Sequence, residues 1–203
     1  EITMRYNSPD AGIAVFQEAL EKAWKFRCSC LLCRAEAKVP AGCLKRRDKA
    51  LREAIEFLKS PANKIAKENL PRLSAIAQVE KLRAKVESTY DNELFRGLPR
   101  LALTELDLWL CKVYVSKNSE KVQDVALTLL RDLGIMVIVE KNEVTIDRTT
   151  SRLEIAAIHG ATYAAEAFEQ RGQGKVGQRL RELGKELYKM YYGSECGYDE
   201  KFR

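Results

Sequence analysis

The sequence predicts a mainly α-helical protein carrying one short β-hairpin, and three observations support that reading. After residue 43, apolar side chains recur at three- and four-residue steps almost without interruption. The breaks between periodic stretches fall at Pro61, Pro71, Gly97, Pro99, Gly134 and Gly172, residues that end or restart helices. Between Gly134 and Gly172, residues 135–147 bring together two β-rich runs around a short polar step. The chain divides into residues 1–43, which hold a strand, a helix and a cysteine-rich turn, and residues 44–203, an antiparallel helical array of TPR-like character.

With 203 residues the chain can bury one proper core or two small ones. Hydrophobic residues make up 46% and charged residues 32%, the balance of a globular protein with a solvated surface. No apolar run approaches the roughly 20 residues a membrane span needs, and no signal peptide opens the chain. Cys43, Cys111 and Cys196 are too widely spaced for a disulfide framework. We therefore expect a reduced, intracellular protein of the nucleus or cytoplasm. The formal charge of +6 raises the question of nucleic acid. Its densest cluster, Lys45-Arg46-Arg47, runs straight into Asp48, and acids are interleaved elsewhere, so we read a solvated helix face rather than a nucleic-acid surface.

The elements follow in order. Ile2-Thr3-Met4-Arg5-Tyr6 alternates like a strand and has no evident partner nearby downstream, which suggests a piece of a longer chain. Ser8-Pro9-Asp10 is a helix start, and Ile13, Phe16, Leu20 and Ala23 mark one face of a helix reaching about Trp24. Leu51, Ala54, Ile55 and Leu58 stripe the next helix; Ser60-Pro61 repeats the start signal. Leu73, Ile76, Val79, Leu82 and Val86 predict a long helix to about Thr89. From Leu98 to Val115 apolar residues occupy several sides, so that helix is expected between neighbours. Val122, Val125, Ala126, Leu129, Leu130 and Leu133 follow, stopped by Gly134 as a left-handed cap. Residues 135–139 and 143–147 predict the hairpin around Lys141-Asn142. Ser151-Arg152-Leu153-Glu154 reads as a capping box opening an alanine-rich helix, and the last helix carries Val176, Leu180, Leu183, Leu187 and Met190 on one stripe.

Chemistry concentrates at Trp24-Lys25-Phe26-Arg27-Cys28-Ser29-Cys30-Leu31-Leu32-Cys33. Three cysteines within six residues, C-x-C-x2-C, can converge on one Zn2+, which takes four nitrogen or sulfur ligands in a tetrahedron. The alternative is three small apolar side chains buried in a reducing cell. Half of the six cysteines falling in one tight turn favours zinc. Cys43, separated from Cys33 by nine intervening residues, is the local candidate for a fourth ligand. His159, the sole histidine, lies among alanines without an acid or nucleophile beside it and reads as structural.

The run Glu1 to Asn7, a helix, and then Trp24-x-Phe26-x-Cys28-x-Cys30-x2-Cys33 resembles the C-terminal edge of a SET domain entering its post-SET zinc segment. The helical remainder makes it most similar to the SET-and-MYND type of protein-lysine methyltransferase, especially fungal forms with a TPR-like tail. The specific resemblance covers residues 1 to 33; the tail agrees only in general character. It implies S-adenosylmethionine as cofactor, a lysine of a histone or non-histone protein as substrate, and a catalytic tyrosine at Tyr6. It implies Phe26 as the aromatic that packs on the cofactor's adenine, and Trp24 as a wall of the lysine channel. The fourth zinc ligand of that family is an upstream cysteine. Together with the glycine-rich and Asn-His motifs of the SET core, it belongs to a SET half outside these residues, so the chain alone is expected to be inactive. The rival reading, from another class, is a non-enzymatic zinc-stapled helical adaptor binding a protein or peptide; a basic helical nucleic-acid binder comes third.

Overall fold

The computed structural model describes residues 12–63, 65, 70–117, 119–141, 143–151 and 153–202, with side chains from residue 17 onward. The anticipated strand over residues 2–6, and Tyr6 with it, lies outside the described residues. In order come α1 (Gly12–Trp24), α2 (Leu31–Glu36), α3 (Ala41–Lys59), α4 (Leu73–Glu87), α5 (Thr104–Ser116) and α6 (Val122–Asp132). Then follow β1 (Met136–Glu140), β2 (Glu143–Asp147), α7 (Ile155–Gln170), α8 (Gly174–Tyr192) and the short α9 (Tyr198–Lys201). The mainly α reading with a single hairpin therefore holds. No helix among the described residues is long and apolar enough to cross a membrane.

Two apolar clusters meet along α5. On one side Ala50 and Ala54 of α3 pack with Ile76, Val79 and Val86 of α4 and with Leu106, Leu110 and Val113 of α5. On the other, Cys111 joins Leu129 and Leu130 of α6, the alanines of α7 and the stripe Val176, Leu180, Leu183 and Leu187 of α8. Apolar residues around the whole circumference of α5 thus suit a helix with neighbours on both flanks. The alanines of α7 let α8 approach closely, and these two helices make the most extensive contact in the molecule. Ala35 and Val39, from the segment following the cysteines, also enter the first cluster, and α3 runs unbroken through residues 43 and 44.

The hairpin pairs Met136 with Asp147 and Glu140 with Glu143 in an antiparallel ladder. Val137, Val139, Val144 and Ile146 turn toward the second cluster, while Ile138, Glu140 and Thr145 face out. Gly134 adopts φ 80, and a Cβ there would sit 2.7 Å from the Thr150 carbonyl oxygen, so glycine is required at this cap.

Several boundaries differ from expectation. Leu73 and Met190 are 76% and 60% exposed. Leu73 is the first residue of its helix, ahead of the packed turns, and along α8 the 3.6-residue period carries the buried face from Leu187 to Tyr188 and Tyr191. The helix expected from Leu98 starts as a 3-10 turn at Leu101–Leu103. Pro61 opens only a 3-10 turn, Pro61–Asn63. The capping box does not form: Glu154 is extended (φ −134, ψ 149) and directly precedes α7. The preceding stretch is pinned instead by Thr150, whose hydroxyl donates to the Gly97 carbonyl at 2.5 Å.

A buried ion cluster ties α4, α5 and α6 together. The Arg83 guanidinium donates to Asp107, to Asp132 at 2.8 Å and to Glu87 at 2.7 Å. Asp107 is fully buried, with one carboxylate oxygen lacking a hydrogen-bond donor. Burial pushes Asp107 up to about 7; Arg83 pulls it down and neighbouring Asp132 pushes it up. An unfolded aspartate titrates near 3.9, so between about pH 4 and pH 7 the folded chain holds an extra proton and stability falls as pH rises. Asp107→Asn, uncharged throughout, should flatten that slope. Thermal midpoints of both proteins at about pH 5 and about pH 8 measure it. A wild-type midpoint that gains on the variant with rising pH contradicts this assignment.

Candidate metal centre

The cysteine turn begins where α1 stops. Lys25, at φ 57, is left-handed and carries the chain off the helix axis directly after Trp24, its N–H still bonded to the Glu21 carbonyl at 3.1 Å. The chain then doubles back along α1. There the Gln17 amide holds Cys28 from both sides: Gln17 Nε2 donates to the Cys28 carbonyl at 2.8 Å, and the Cys28 N–H donates to Gln17 Oε1 at 2.8 Å. A side chain thus does for this turn what a neighbouring strand does in a sheet. The exposed Arg27–Glu21 pair at 2.8 Å adds little.

Cys30 is the residue before α2, and Cys33 lies within that helix. Cys28 is half-buried, Cys30 exposed and Cys33 buried, and their three sulfurs lie within 4.8 Å of one another. Zinc–sulfur bonds of about 2.3 Å place tetrahedral sulfurs roughly 3.8 Å apart. The triplet therefore needs a contraction of about 1 Å or less to form one face of that tetrahedron. Its electrostatics suit a cation. Burial opposes ionisation of Cys30, yet the N–H of Cys33, the thiols of Cys28 and Cys33 and the N–H of Leu32 together lower its pKa. Burial, the Cys30 thiol and then Cys28 push Cys33 far up. Three crowded thiols that resist joint ionisation are relieved by a divalent ion at their centre.

Among the described residues no fourth cysteine, histidine or carboxylate joins the cluster. Cys43 sits on α3, where its sulfur accepts a hydrogen bond from the Arg46 guanidinium at 2.8 Å.

Trp24 and Phe26 flank the turn and are 57% and 43% exposed. His159 is half-buried in α7, stacked on Tyr163 at 5.6 Å and beside Phe202 at 4.8 Å. Burial, aided by Lys112, lowers its pKa to about 4, so the ring is a neutral packing element.

Arg47 departs from the solvated helix face that explains most of the basic cluster Lys45-Arg46-Arg47. It is 5% exposed, and its Nη1 donates to both Glu36 carboxylate oxygens at 2.8 and 2.9 Å. Nε donates to Thr89 Oγ1 at 3.0 Å and Nη2 to the Thr89 carbonyl at 3.1 Å. The guanidinium lies 3.6 Å from the centre of the Tyr90 ring. The signal was present in the periodicity: Arg47 stands three and four residues before Ala50 and Leu51, on the buried face of α3. Gln17 had no such signal. No family model, curated protein or solved structure matches this chain, so the site is interpreted from its own geometry.

Proposed function

We propose that this chain forms the post-SET zinc segment and helical tail of a protein-lysine methyltransferase that uses S-adenosylmethionine. The observation that carries the reading is the convergence of Cys28, Cys30 and Cys33 within 4.8 Å, immediately after an aromatic pair that keeps part of its surface exposed. Zinc held by these thiolates, with a fourth ligand from the SET core, supplies a rigid cross-link to the turn that the Gln17 amide clasps. The chain's residues then divide the work. Phe26 offers an apolar face to an adenine, and Trp24 offers a ring face suited to a cationic or methylated amine. Tyr6 contributes a hydroxyl that orients the lysine amine without titrating near neutral pH. Transfer from a sulfonium to a neutral amine is an in-line displacement, and alignment is the main demand it makes. The helical tail narrows the substrate cleft or docks a partner.

The exposed aromatics beside a metal staple also suit a zinc-stapled adaptor, and one series of measurements separates the two. The purified protein is expected to carry about one zinc per chain. Cys28→Ser, Cys30→Ser and Cys33→Ser each lose it, while Cys43→Ser keeps it and the helical signal survives. Full zinc retention by all three variants refutes the site, and zinc loss in Cys43→Ser makes Cys43 a ligand. Tritium transfer from labelled S-adenosylmethionine to mixed proteins is expected when the chain is joined to a SET core, and is expected to be absent with residues 1–203 alone. A zinc-loaded protein that transfers nothing in either form is the adaptor.

A further inference from the structure

We propose that Arg47 is a positioning residue of the metal centre: through Glu36 it couples ion binding at Cys28, Cys30 and Cys33 to the stability of the helical tail. The inference rests on reading the cysteine triplet as a metal site, and it names the pair through which the state of that site reaches the rest of the molecule.

The argument starts from the length of α2. Six residues make too short a helix to hold itself together, because nucleation costs more than so few hydrogen bonds return. Its position must be set from outside, and beside its apolar contacts two points along it can do so. Cys30 and Cys33 lie at and near its start; Glu36 is its last residue. Cys33 and Glu36 are three residues apart and share a face. Docking Glu36 therefore also turns Cys33 inward, where it is 5% exposed.

The other half of the pair is already fixed. Thr89 and Tyr90 hold the Arg47 guanidinium at the end of α4, so Glu36 must come to it. Ala35 and Val39 also dock this segment, but apolar contact is non-directional and leaves rotation and axial slip open. Glu36 is met by a single guanidinium nitrogen, Nη1, which donates to both carboxylate oxygens, and these directional, charge-assisted bonds restrict that freedom. Buried ion pairs bring little net stability over apolar substitutes, and setting register is the role such a pair fills best.

Reciprocity follows. Whatever favours docked α2 raises the affinity of the thiols for an ion, and an ion favours docked α2 by the same factor. The test uses Co2+ alone, read by its thiolate absorption bands. Arg47→Met and Glu36→Gln should each weaken Co2+ binding by about tenfold to a hundredfold, the range for partners that orient metal ligands. Zinc should raise the thermal midpoint of the wild-type tail and raise that of both variants less. Arg47→Lys keeps the charge but cannot reach Glu36 and Thr89 together, and should recover only part of the affinity. Glu36→Gln leaves Arg47 bonded to Thr89, so it reports even if Arg47→Met fails to fold. Wild-type Co2+ affinity in Glu36→Gln, with an unchanged zinc-induced shift, overturns the coupling and leaves the metal site standing. A wild-type chain that binds no Co2+ overturns both.

Discussion

Arg83→Met should be among the most damaging single substitutions in this protein, at about 3–5 kcal/mol. The guanidinium faces Asp107, which is fully buried, and Asp132, which is 1% exposed, and no other cation reaches Asp107 among the ion pairs of the described residues. Deleting it leaves Asp107 without a cation in the interior between α4, α5 and α6 and crowds it against Asp132, which keeps Arg131 at 3.2 Å. The loss is the cost of orphaned charge rather than the worth of the original bonds, and that distinction is measurable. Arg83→Met combined with Asp107→Asn and Asp132→Asn should recover a large part of the lost stability in urea unfolding. If the triple variant is no more stable than Arg83→Met alone, the damage lies in packing instead.

Tyr198→Ala should cost about 3–5 kcal/mol, the range for an aromatic emptied from a core. Tyr198 is 1% exposed, its ring 5.5 Å from Phe202 and 5.6 Å from Tyr188, and its hydroxyl lies 3.0 Å from Thr162 Oγ1. It folds the end of the chain back over the α7–α8 pair. Gly184 makes room for it, since a Cβ there would press on the Tyr198 hydroxyl oxygen more closely than real Cβ atoms approach anything. Gly184→Ala should therefore cost about 1–3 kcal/mol by overpacking. The two changes should be less than additive, because removing the ring also removes the clash. Strict additivity in denaturant unfolding would mean that Gly184 serves some purpose other than seating Tyr198.

The helices were legible because burial of one face imposes a period on the chain: Ile76, Val79, Leu82 and Val86 write α4 in plain order. The cysteine triplet was legible because its members are close in sequence as well as in space. The remaining contacts join residues that sequence separates. Gln17 reaches Cys28 across eleven positions and Arg47 reaches Thr89 across forty-two, and neither span leaves a local pattern. Asp107 and Asp132 are charged residues in the interior, and their burial makes sense only once Arg83 is placed between them. The closing aromatic segment, Tyr198 to Phe202, is too short for periodicity to register.

The hairpin of β1 and β2 has a consequence for how the protein behaves in a crowded solution. Among the described residues each strand has a single hydrogen-bonded partner, so neither outer edge of the ribbon is paired there, and an unpaired edge is a template for another molecule. The ribbon carries its own deterrents. Glu140 and Glu143 stand directly opposite each other at the turn end, a like-charge pair that weakens the ladder there and repels a second acidic ribbon arriving in register. Thr145 and Asp147 keep the outer face of β2 polar. Ile138, 50% exposed on the outer face of β1, is an apolar weakness. A few charges at the tip of this two-stranded sheet therefore guard the ribbon against edge-to-edge association.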